Sequence, residues 1–247
     1  MNKFSCCTVV PCYNEGKRLP VKHFEEFIEG NTGFALLFVN DGSSDNTQIV
    51  IDSIVNNIPD QVYSLKLGKN SGKAEAVRQG FTYALQNIDS DYLSYLDADL
   101  SAPLFEIERL HSIICNNPKW KLIFGSRFKR LGVTIERKKF RHYSGRVIAT
   151  FISGILKLPI YDTQCGAKVF SKELAATLFN SEFISRWLFD VEIFARIIKQ
   201  YGIETIYEIA MEEPLQQWTE VAGSKINFFD MIKVPFELLR IKLKYKI

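Results

Sequence analysis

The sequence predicts an α/β domain built on a mostly parallel central sheet flanked by helices, and two observations support that prediction. Short apolar runs of strand length alternate with stretches of helical periodicity through the first half of the chain, which is typical of βαβ units. Polar clusters directly follow four successive apolar runs. Ligands of open α/β sheets bind beyond the carboxyl ends of the strands. We therefore expect a Rossmann-like fold with a ligand site along one edge of its sheet.

The elements follow from this alternation in chain order. In the first half we predict strands at 6–12, 34–39, 62–67, 91–96 and 122–124, and helices at 17–29, 46–57, 73–88 and 104–116. In the second half we predict a helical segment ending near 158, a strand at 167–170, helices at 172–179 and 190–201, and a strand at 205–209. The tail from 227 to 247 has helical periodicity.

Composition excludes several classes of protein. Among 247 residues, 47% are hydrophobic and 24% are charged, which are ordinary values for a globular protein. A net charge of +3 is too small for a dedicated nucleic-acid binder, so we expect no nucleic-acid partner. The five cysteines show no zinc-ligand or CxxC spacing, which favours a reduced, cytoplasmic protein. No apolar run approaches the ~20 residues that cross a bilayer, so we expect any membrane contact to be peripheral.

Two carboxylates, Asp97 and Asp99, flank one alanine where the fourth predicted strand ends. Oxygen ligands of this kind suit a hard cation such as Mg²⁺ or Mn²⁺, which also binds phosphate oxygens and water. A solvated turn with helix-capping aspartates would explain the pair in isolation. Because the pair follows three other polar strand ends, its position favours a metal site.

The other strand ends favour a nucleotide. Asp41 ends the second strand, where a carboxylate could accept the ring N–H of a pyrimidine base. Lys73 follows Gly72 at the start of a predicted helix. Backbone N–H groups at a helix start and a lysine side chain both favour phosphate binding. Without the neighbouring motifs, Lys73 would be interpreted as a solvated surface lysine. No GxGxxG follows the first strand, which argues against a dinucleotide-dependent oxidoreductase.

These strings resemble the family 2 glycosyltransferases of the GT-A fold. The first-half strings are Pro11-Cys12-Tyr13-Asn14-Glu15, Asn40-Asp41-Gly42-Ser43-Ser44-Asp45, Gly72-Lys73 and Asp97-Ala98-Asp99. Four strings follow in the second half: Gly125-Ser126-Arg127, Asp162-Thr163-Gln164-Cys165-Gly166-Ala167-Lys168, Arg186-Trp187-Leu188-Phe189-Asp190-Val191-Glu192 and Trp218-Thr219-Glu220-Val221-Ala222-Gly223-Ser224-Lys225. The second set is similar to the polyprenyl-phosphate sugar transferases, among them the dolichyl-phosphate glucosyltransferases.

The resemblance implies a metal-dependent, inverting hexosyltransferase that moves a sugar, glucose by this similarity, from a UDP-sugar to a polyprenyl or dolichyl phosphate. By the same resemblance Asp41 would bind uracil, Asp97 would contact the donor ribose or sugar, and Asp99 would ligate the metal beside Asp97. Arg127 would face the pyrophosphate or the acceptor phosphate. The remaining substrate-binding candidates in the matched strings are Pro11, Tyr13, Glu15, Lys73, Arg186, Trp187 and Glu192.

Whether the transfer reaction needs a general base depends on the acceptor. A hydroxyl must lose a proton, whereas a phosphate monoester is already ionised near neutral pH. Asp190 and Glu192 are base candidates, or simply helix N-terminal carboxylates; Asp162 either takes a proton or holds an acceptor loop. Two alternatives therefore stay open: transfer to a sugar hydroxyl in surface polysaccharide synthesis, with Asp190 as base, and a nucleotide-sugar-binding partner protein without turnover.

Two segments bear on membrane contact. A basic stretch follows Gly125, where arginines could grip a lipid phosphate and lysines could face anionic headgroups, unless the stretch is a solvated helical face. The tail is amphipathic, so it lies in a membrane interface or packs on the domain or a second subunit, which leaves a homo-oligomer open. The basic residues are Arg127, Lys129, Arg130, Arg137, Lys138, Lys139, Arg141 and Arg146, and the tail's apolar face is Phe228, Ile232, Phe236, Leu239 and Leu243.

Nothing in the sequence divides the chain, since it has no Gly/Ser/Pro-rich linker and no internal repeat. We expect one domain over 1–247. Within it, residues 1–100 would form the donor half, 101–225 the acceptor half and 226–247 the C-terminal amphipathic helix. The expected location is cytoplasmic, peripherally associated with the membrane.

Overall fold

The structure, a computed structural model, describes residues 2–136, 139–221 and 228–247. Its strands are β1 Phe4–Cys12, β2 Phe34–Asn40, β3 Val62–Lys66, β4 Ser90–Leu96, β5 Leu122–Ser126, β6 Thr134–Glu136, β7 Ala167–Ser171, β8 Ala210–Pro214 and β9 Gln217–Thr219. Its helices are α1 Val21–Gly30, α2 Thr47–Asn57, α3 Lys73–Asn87, α4 Leu104–Asn116, α5 Lys139–Leu156, α6 Lys172–Leu178, α7 Phe189–Tyr201, α8 Ile203–Ile209 and α9 Phe228–Tyr245.

The predicted α/β sheet is confirmed. Seven strands of the described chain form one sheet in the order β3-β2-β1-β4-β7-β5-β8. Its pairs are parallel except where β7 runs antiparallel between β4 and β5. Because β1 pairs with β2 through Cys12 and Asn40, and with β4 through Val9 and Tyr95, the carboxyl ends of these three strands reach the same edge.

Helices cover both faces of this sheet, which explains why its central strands are continuously apolar. All seven residues of β2 are buried. Alternate side chains belong to different cores, since Leu37 and Val39 join the cluster beneath α3 while Leu36 and Phe38 join the one that includes α1 and α4. Because side chains on both faces of β2 are buried, its sequence does not alternate between apolar and polar residues.

One predicted strand was wrong. Residues 205–209 lie in helix α8, and the strand that pairs with β5 begins at Ala210. Gly202, at φ +86°, turns the chain after α7, and the following apolar residues Ile203 and Ile206 have helical spacing. The parallel pair of β6 with β9 was not predicted, because each strand has only three residues.

The predicted C-terminal helix is confirmed, but a different face of α9 packs on the domain. Leu238 and Ile241 are buried in the core, and α9 packs against α5 and α7. Phe236, Leu239 and Leu243, from the predicted apolar face, are instead exposed. Phe228 and Ile232 have side chains outside the described set. No helix in the described ranges is long and apolar enough to span a bilayer.

The core beneath α3 is centred on aromatic rings. Phe81 is fully buried and stacks on Phe179 with ring centroids 4.0 Å apart. It also meets Phe170 edge-on at 5.5 Å. Offset and edge-on ring contacts of this kind add to the free energy of burial.

We predict that Phe81→Ala lowers the free energy of unfolding by about 3–5 kcal/mol, because it removes a ring from a packed cluster. Urea unfolding monitored by circular dichroism measures the change. Phe105→Ala, at a helical phenylalanine that is 39% exposed, is the matched control and should cost less than about 1 kcal/mol. Equal losses in the two variants would contradict this account of the core.

Candidate active site

A cavity of about 370 Å³ opens at the carboxyl ends of β1, β2 and β4. Nine of the predicted site residues line it: Pro11, Tyr13, Glu15, Asp41, Lys73, Asp97, Asp99, Arg186 and Trp187. The described lining does not include Arg127, Asp162, Asp190 or Glu192. The structure thus brings the strand-end residues together and places the other four candidates elsewhere.

Asp41 fixes the loop that leads into α3. Its two carboxylate oxygens accept the backbone N–H groups of Ser71 at 2.7 Å and Gly72 at 2.8 Å. Gly42, at φ +61°, follows it in a conformation that favours glycine, and a side chain there would collide with the backbone of Lys69. The end of β2 and the start of α3 are therefore held in one arrangement.

Arg18 lines the cavity and was not predicted as a site residue. It forms an ion pair with Glu15, in which Nη2 donates to Oε1 at 2.6 Å. The Glu15 carboxylate raises the pKa of Arg18, and Asp99 contributes to the same shift. The i, i+3 spacing from Glu15 was a usable signal, but we assigned residue 18 to a helix that begins only at Val21.

The paired carboxylates sit in a charged environment. Asp97 forms an ion pair with Lys73, whose pKa is lowered by burial but raised overall by Asp97 and Asp190. Burial raises the pKa of Asp99, and the neighbouring Asp97 carboxylate raises it further. Burial and the neighbouring like charge both disfavour the ionised form of Asp99, and a bound cation would favour it.

The donor set fits a hard divalent cation that completes its shell with a ligand. No group of three or more His, Cys, Asp or Glu side chains with metal-binding geometry occurs in the part of the chain that the structure describes. Two aspartates supply few of the six oxygens that Mg²⁺ takes, so phosphate oxygens and water would supply the rest. This donor set matches the predicted use of a metal against a diphosphate.

Gly166 links the second half of the chain to this carboxylate pair. A Cβ atom at Gly166 would overlap the carboxylate of Asp97. The loop before β7 therefore packs directly against a predicted metal ligand, and only a residue without a side chain permits that approach.

Asp190 is held in a buried ion pair. It is 3% exposed, accepts a hydrogen bond from Lys168 Nζ at 2.7 Å and accepts another from the hydroxyl of Tyr95. Lys168 also donates to the carbonyls of Thr163 at 2.9 Å and Cys165 at 2.6 Å. This geometry gives Asp190 a structural partner on the β7 side and does not bring it into the cavity lining.

Arg127 and Asp162 are partners of one another. Arg127 donates to Asp162 through Nε at 2.6 Å and Nη2 at 2.7 Å, a bidentate pair. Glu212 accepts the backbone N–H groups of Tyr161 at 2.8 Å and Asp162 at 2.7 Å. The geometry agrees with the alternative in which Asp162 holds a loop.

Glu192 is fully buried and has four hydrogen-bond donors. It accepts from the backbone N–H groups of Ile184 at 2.8 Å and Ser185 at 3.3 Å, from Arg196 at 3.2 Å and from the hydroxyl of Tyr245 at 2.5 Å. The prediction that Glu192 contacts substrate finds no support in this position, because protein groups occupy its oxygens. Its partners lie up to 53 residues away in sequence, which local pattern does not reveal.

The basic stretch divides into internal and exposed residues. Arg146 donates to the carbonyl of Tyr161 at 2.9 Å, and its guanidinium lies 3.7 Å from that ring's centroid. Lys129 and Arg130 are exposed. Arg137 and Lys138 lie outside the described residues, as do the side chains of Lys139 and Arg141.

A mostly parallel sheet with a charged cavity at its carboxyl edge defines a class of α/β protein that binds its ligand at the strand ends. Residues 7–179 match the family model described as glycosyl transferase family 2, and the chain belongs to this family. It is therefore a glycosyltransferase.

The similarity to curated relatives covers most of this chain and about three quarters of each relative. The chain is 31% identical to the dolichyl-phosphate beta-glucosyltransferase of Homo sapiens, over 96% of this chain and 74% of the relative. It is 30% identical to the enzyme of the same name from Saccharomyces cerevisiae, over 96% of this chain and 74% of the relative.

Solved structures share the fold. Glucosyl-3-phosphoglycerate synthase from Mycobacterium tuberculosis, in complex with Mn²⁺, UDP-glucose and phosphoglyceric acid, superposes with a TM-score of 0.69 at 14% identity, covering 98% of this chain and 79% of that one. Mannosyl-3-phosphoglycerate synthase from Rubrobacter xylanophilus gives a TM-score of 0.70 at 14% identity, covering 98% and 75%. The predicted GT-A fold is confirmed.

We predict that Gly166→Ala weakens UDP binding in the presence of Mn²⁺ by about 10- to 100-fold, because the added methyl group displaces the Asp97 carboxylate. Isothermal titration calorimetry measures the affinity. Gly68→Ala is the matched control, since a Cβ atom there meets nothing within 4 Å. Unchanged affinity in Gly166→Ala, with both variants folded, would refute the proposed link between this loop and the carboxylates.

Proposed function

We propose that this protein is a metal-dependent, inverting glucosyltransferase that moves glucose from UDP-glucose to a polyprenyl phosphate of the dolichyl type. The observation that carries the proposal is the cavity in which Asp41, Lys73, Asp97 and Asp99 converge at the strand ends. The names of the curated relatives support the glucosyl donor and the lipid-phosphate acceptor.

The cavity suits a nucleoside diphosphate. Lys73, Arg18 and Arg186 provide positive charge toward the phosphates, and Arg18 and Lys73 are oriented by ion pairs with Glu15 and Asp97. We assign Asp41 to the part of the cavity that would bind uracil. Asp41 also orders the loop before α3. Trp187, which is 40% exposed, offers an aromatic surface at the cavity wall.

Asp99, with Asp97 beside it, would hold Mg²⁺ or Mn²⁺ together with the diphosphate. The metal would act as a Lewis acid that stabilises the charge of the departing UDP. Two structures of the neighbour glucosyl-3-phosphoglycerate synthase contain Mn²⁺ and UDP, which supports this assignment. Lys73 supplies fixed positive charge in the same place, and such preorganised charge is a large component of catalysis.

The geometry favours a phosphate acceptor over a hydroxyl acceptor. The hydroxyl alternative takes Asp190 as its base, and Asp190 is instead bound to Lys168 and Tyr95 and does not line the cavity. A phosphate monoester, with a second pKa of about 6, attacks without a base. Direct displacement at the anomeric carbon then inverts its configuration, as the family resemblance implies.

A lipid acceptor places the reaction at a bilayer surface. We assign the protein to the cytoplasmic face of a membrane, with peripheral attachment. The exposed Lys129 and Arg130 support electrostatic attraction to anionic headgroups.

We predict that UDP-glucose and a polyprenyl phosphate together give UDP release that stops when EDTA removes the metal. Asp99→Asn should lower kcat/KM by roughly 10²–10³-fold, because it weakens charge stabilisation in the transition state. A coupled UDP assay and thin-layer chromatography of the glycolipid measure the reaction. Asp60→Asn, at an exposed aspartate outside the cavity, is the matched control and should leave the rate unchanged.

Two outcomes would contradict the proposal. Transfer to sugar hydroxyls that is lost in Asp190→Asn, with lipid phosphate inert, would establish the hydroxyl-acceptor alternative. Metal-dependent binding of UDP-glucose without turnover on either acceptor class would establish a binding protein.

A further inference from the structure

Two neighbouring helices, α5 and α9, expose large apolar side chains. On α5, Val147 is 58% exposed and Phe151 is 65% exposed; on α9, Phe236, Leu239 and Leu243 are 68%, 52% and 68% exposed. We call these five residues the α5–α9 face. Exposed apolar patches on folded proteins mark sites that contact partner proteins, ligands or membranes.

The α5–α9 face belongs to helices that are anchored on their other sides. Leu238 and Ile241 of α9 are buried in the core, and so are Ile152 and Leu156 of α5. The exposed side chains are therefore presented by fixed helices. Each helix therefore packs one apolar side into the core and leaves other apolar side chains exposed to water.

Positive charge surrounds the exposed side of α9. From Phe236 to Ile247 the chain contains four basic residues, Arg240, Lys242, Lys244 and Lys246, and one acidic residue, Glu237. All four basic side chains are exposed, but Lys244 Nζ lies 3.7 Å from the Glu192 carboxylate, so Arg240, Lys242 and Lys246 carry the charge that faces solvent. Glu237 is half-buried and accepts a hydrogen bond from the Ser185 hydroxyl, so its charge is turned toward the domain.

This charge pattern distinguishes two occupants. A two-fold contact between copies would bring the same basic residues of each copy together, which is electrostatically unfavourable. An anionic lipid surface attracts them and also accepts the apolar side chains below its headgroups. We propose that the α5–α9 face docks this protein on an anionic lipid surface, an inference that rests on the proposed lipid acceptor.

Vesicle co-sedimentation tests the docking. Wild-type protein should bind phosphatidylcholine vesicles that contain phosphatidylglycerol and should bind phosphatidylcholine alone more weakly. The double variant Leu239→Gln/Leu243→Gln should partition about tenfold less or weaker still, because it removes apolar contact without lowering helix propensity. Ile49→Gln is the matched control, since Ile49 is an exposed apolar residue, at 71%, on α2.

The outcomes separate docking from catalysis. UDP release with a short, water-soluble prenyl phosphate should be the same in the double variant and wild type. Absent activity with this substrate would overturn the proposed function, while vesicle binding would still decide the docking. Equal vesicle binding by the double variant and wild type would overturn the docking, as would a wild-type dimer that the double variant converts to monomer.

A second inference concerns hydrogen bonds between α9 and the cavity wall. Glu237 accepts from the Ser185 hydroxyl, and Ser185 Oγ accepts the backbone N–H groups of Trp187 at 3.3 Å and Leu188 at 2.7 Å. Tyr245 donates to Glu192, which accepts the backbone N–H groups of 184 and 185. Glu237 of α9 thus binds the segment 184–188 directly, and Tyr245 of α9 holds it through Glu192.

That segment carries two lining residues of the cavity, Arg186 and Trp187. Both side chains are exposed, so little packing holds them in place. The backbone on either side is instead fixed by Ser185 and Glu192. We infer that Tyr245 and Glu237 are positioning residues, which set the place of Arg186 and Trp187 in the nucleotide-sugar site.

Removing the hydroxyl of Tyr245 tests whether α9 positions Arg186 and Trp187. Tyr245→Phe keeps the ring and should raise the KM for UDP-glucose by roughly threefold to tenfold with a smaller change in kcat, since a hydrogen bond to a buried carboxylate is lost. Glu237→Ala should act in the same direction, and Glu237→Gln, which retains an acceptor for Ser185, should restore much of the loss. Tyr207→Phe, at an exposed tyrosine on α8, is the matched control.

A readout without ligand keeps this inference independent of the proposed function. Trypsin cleaves after Arg186 when segment 184–188 opens locally. Tyr245→Phe should accelerate that cleavage, detected by mass spectrometry, relative to Tyr207→Phe. Unchanged cleavage after Arg186 in both Tyr245→Phe and Glu237→Ala would overturn the inference, whatever the activity of the protein.

Discussion

The buried ion pair between Lys168 and Asp190 joins the parts on which the site depends. Lys168 lies in β7 and is fully buried, and Asp190 lies in the first turn of α7. Tyr95 of β4 donates to the same Asp190 oxygen. Loss of one partner from such a pair leaves a buried charge and costs about 3–5 kcal/mol. Through Tyr95, the pair therefore connects β4, the strand that leads into the candidate metal ligands, to the second half of the chain.

Lys168 extends this connection to the loop before β7. Its ammonium group donates to the carbonyls of Thr163 and Cys165, so the loop conformation follows from the buried charge. That conformation brings Gly166 against Asp97. The antiparallel strand β7 thus supports the carboxylate pair from one side while Lys73 balances Asp97 from α3. Both halves of the chain are needed to build a site whose lining comes mostly from the first.

The second-half strings, which are the more specific to polyprenyl-phosphate sugar transferases, supply mainly internal contacts. Asp162 engages Arg127, Asp190 engages Lys168, and Glu192 engages α9 and the segment before α7. These charged groups are paired because a buried charge without a partner is costly. A motif can therefore identify a family while most of its charged members act through other residues.

The sequence alone was enough to predict the sheet, the order of its first elements and nine of the residues that line the cavity. Strand ends are local features, and parallel pairing brings the residues that follow them, such as Asp41 and Asp97, to one edge. Tertiary structure alone decided which carboxylates face that cavity, where residues 203–209 become helix, and which apolar side of α9 is buried. These outcomes depend on partners distant in sequence, as Glu192 and Tyr245 show. Periodicity predicts which side chains of a helix or strand face the interior. It does not predict which residues, distant in sequence, those side chains will contact there.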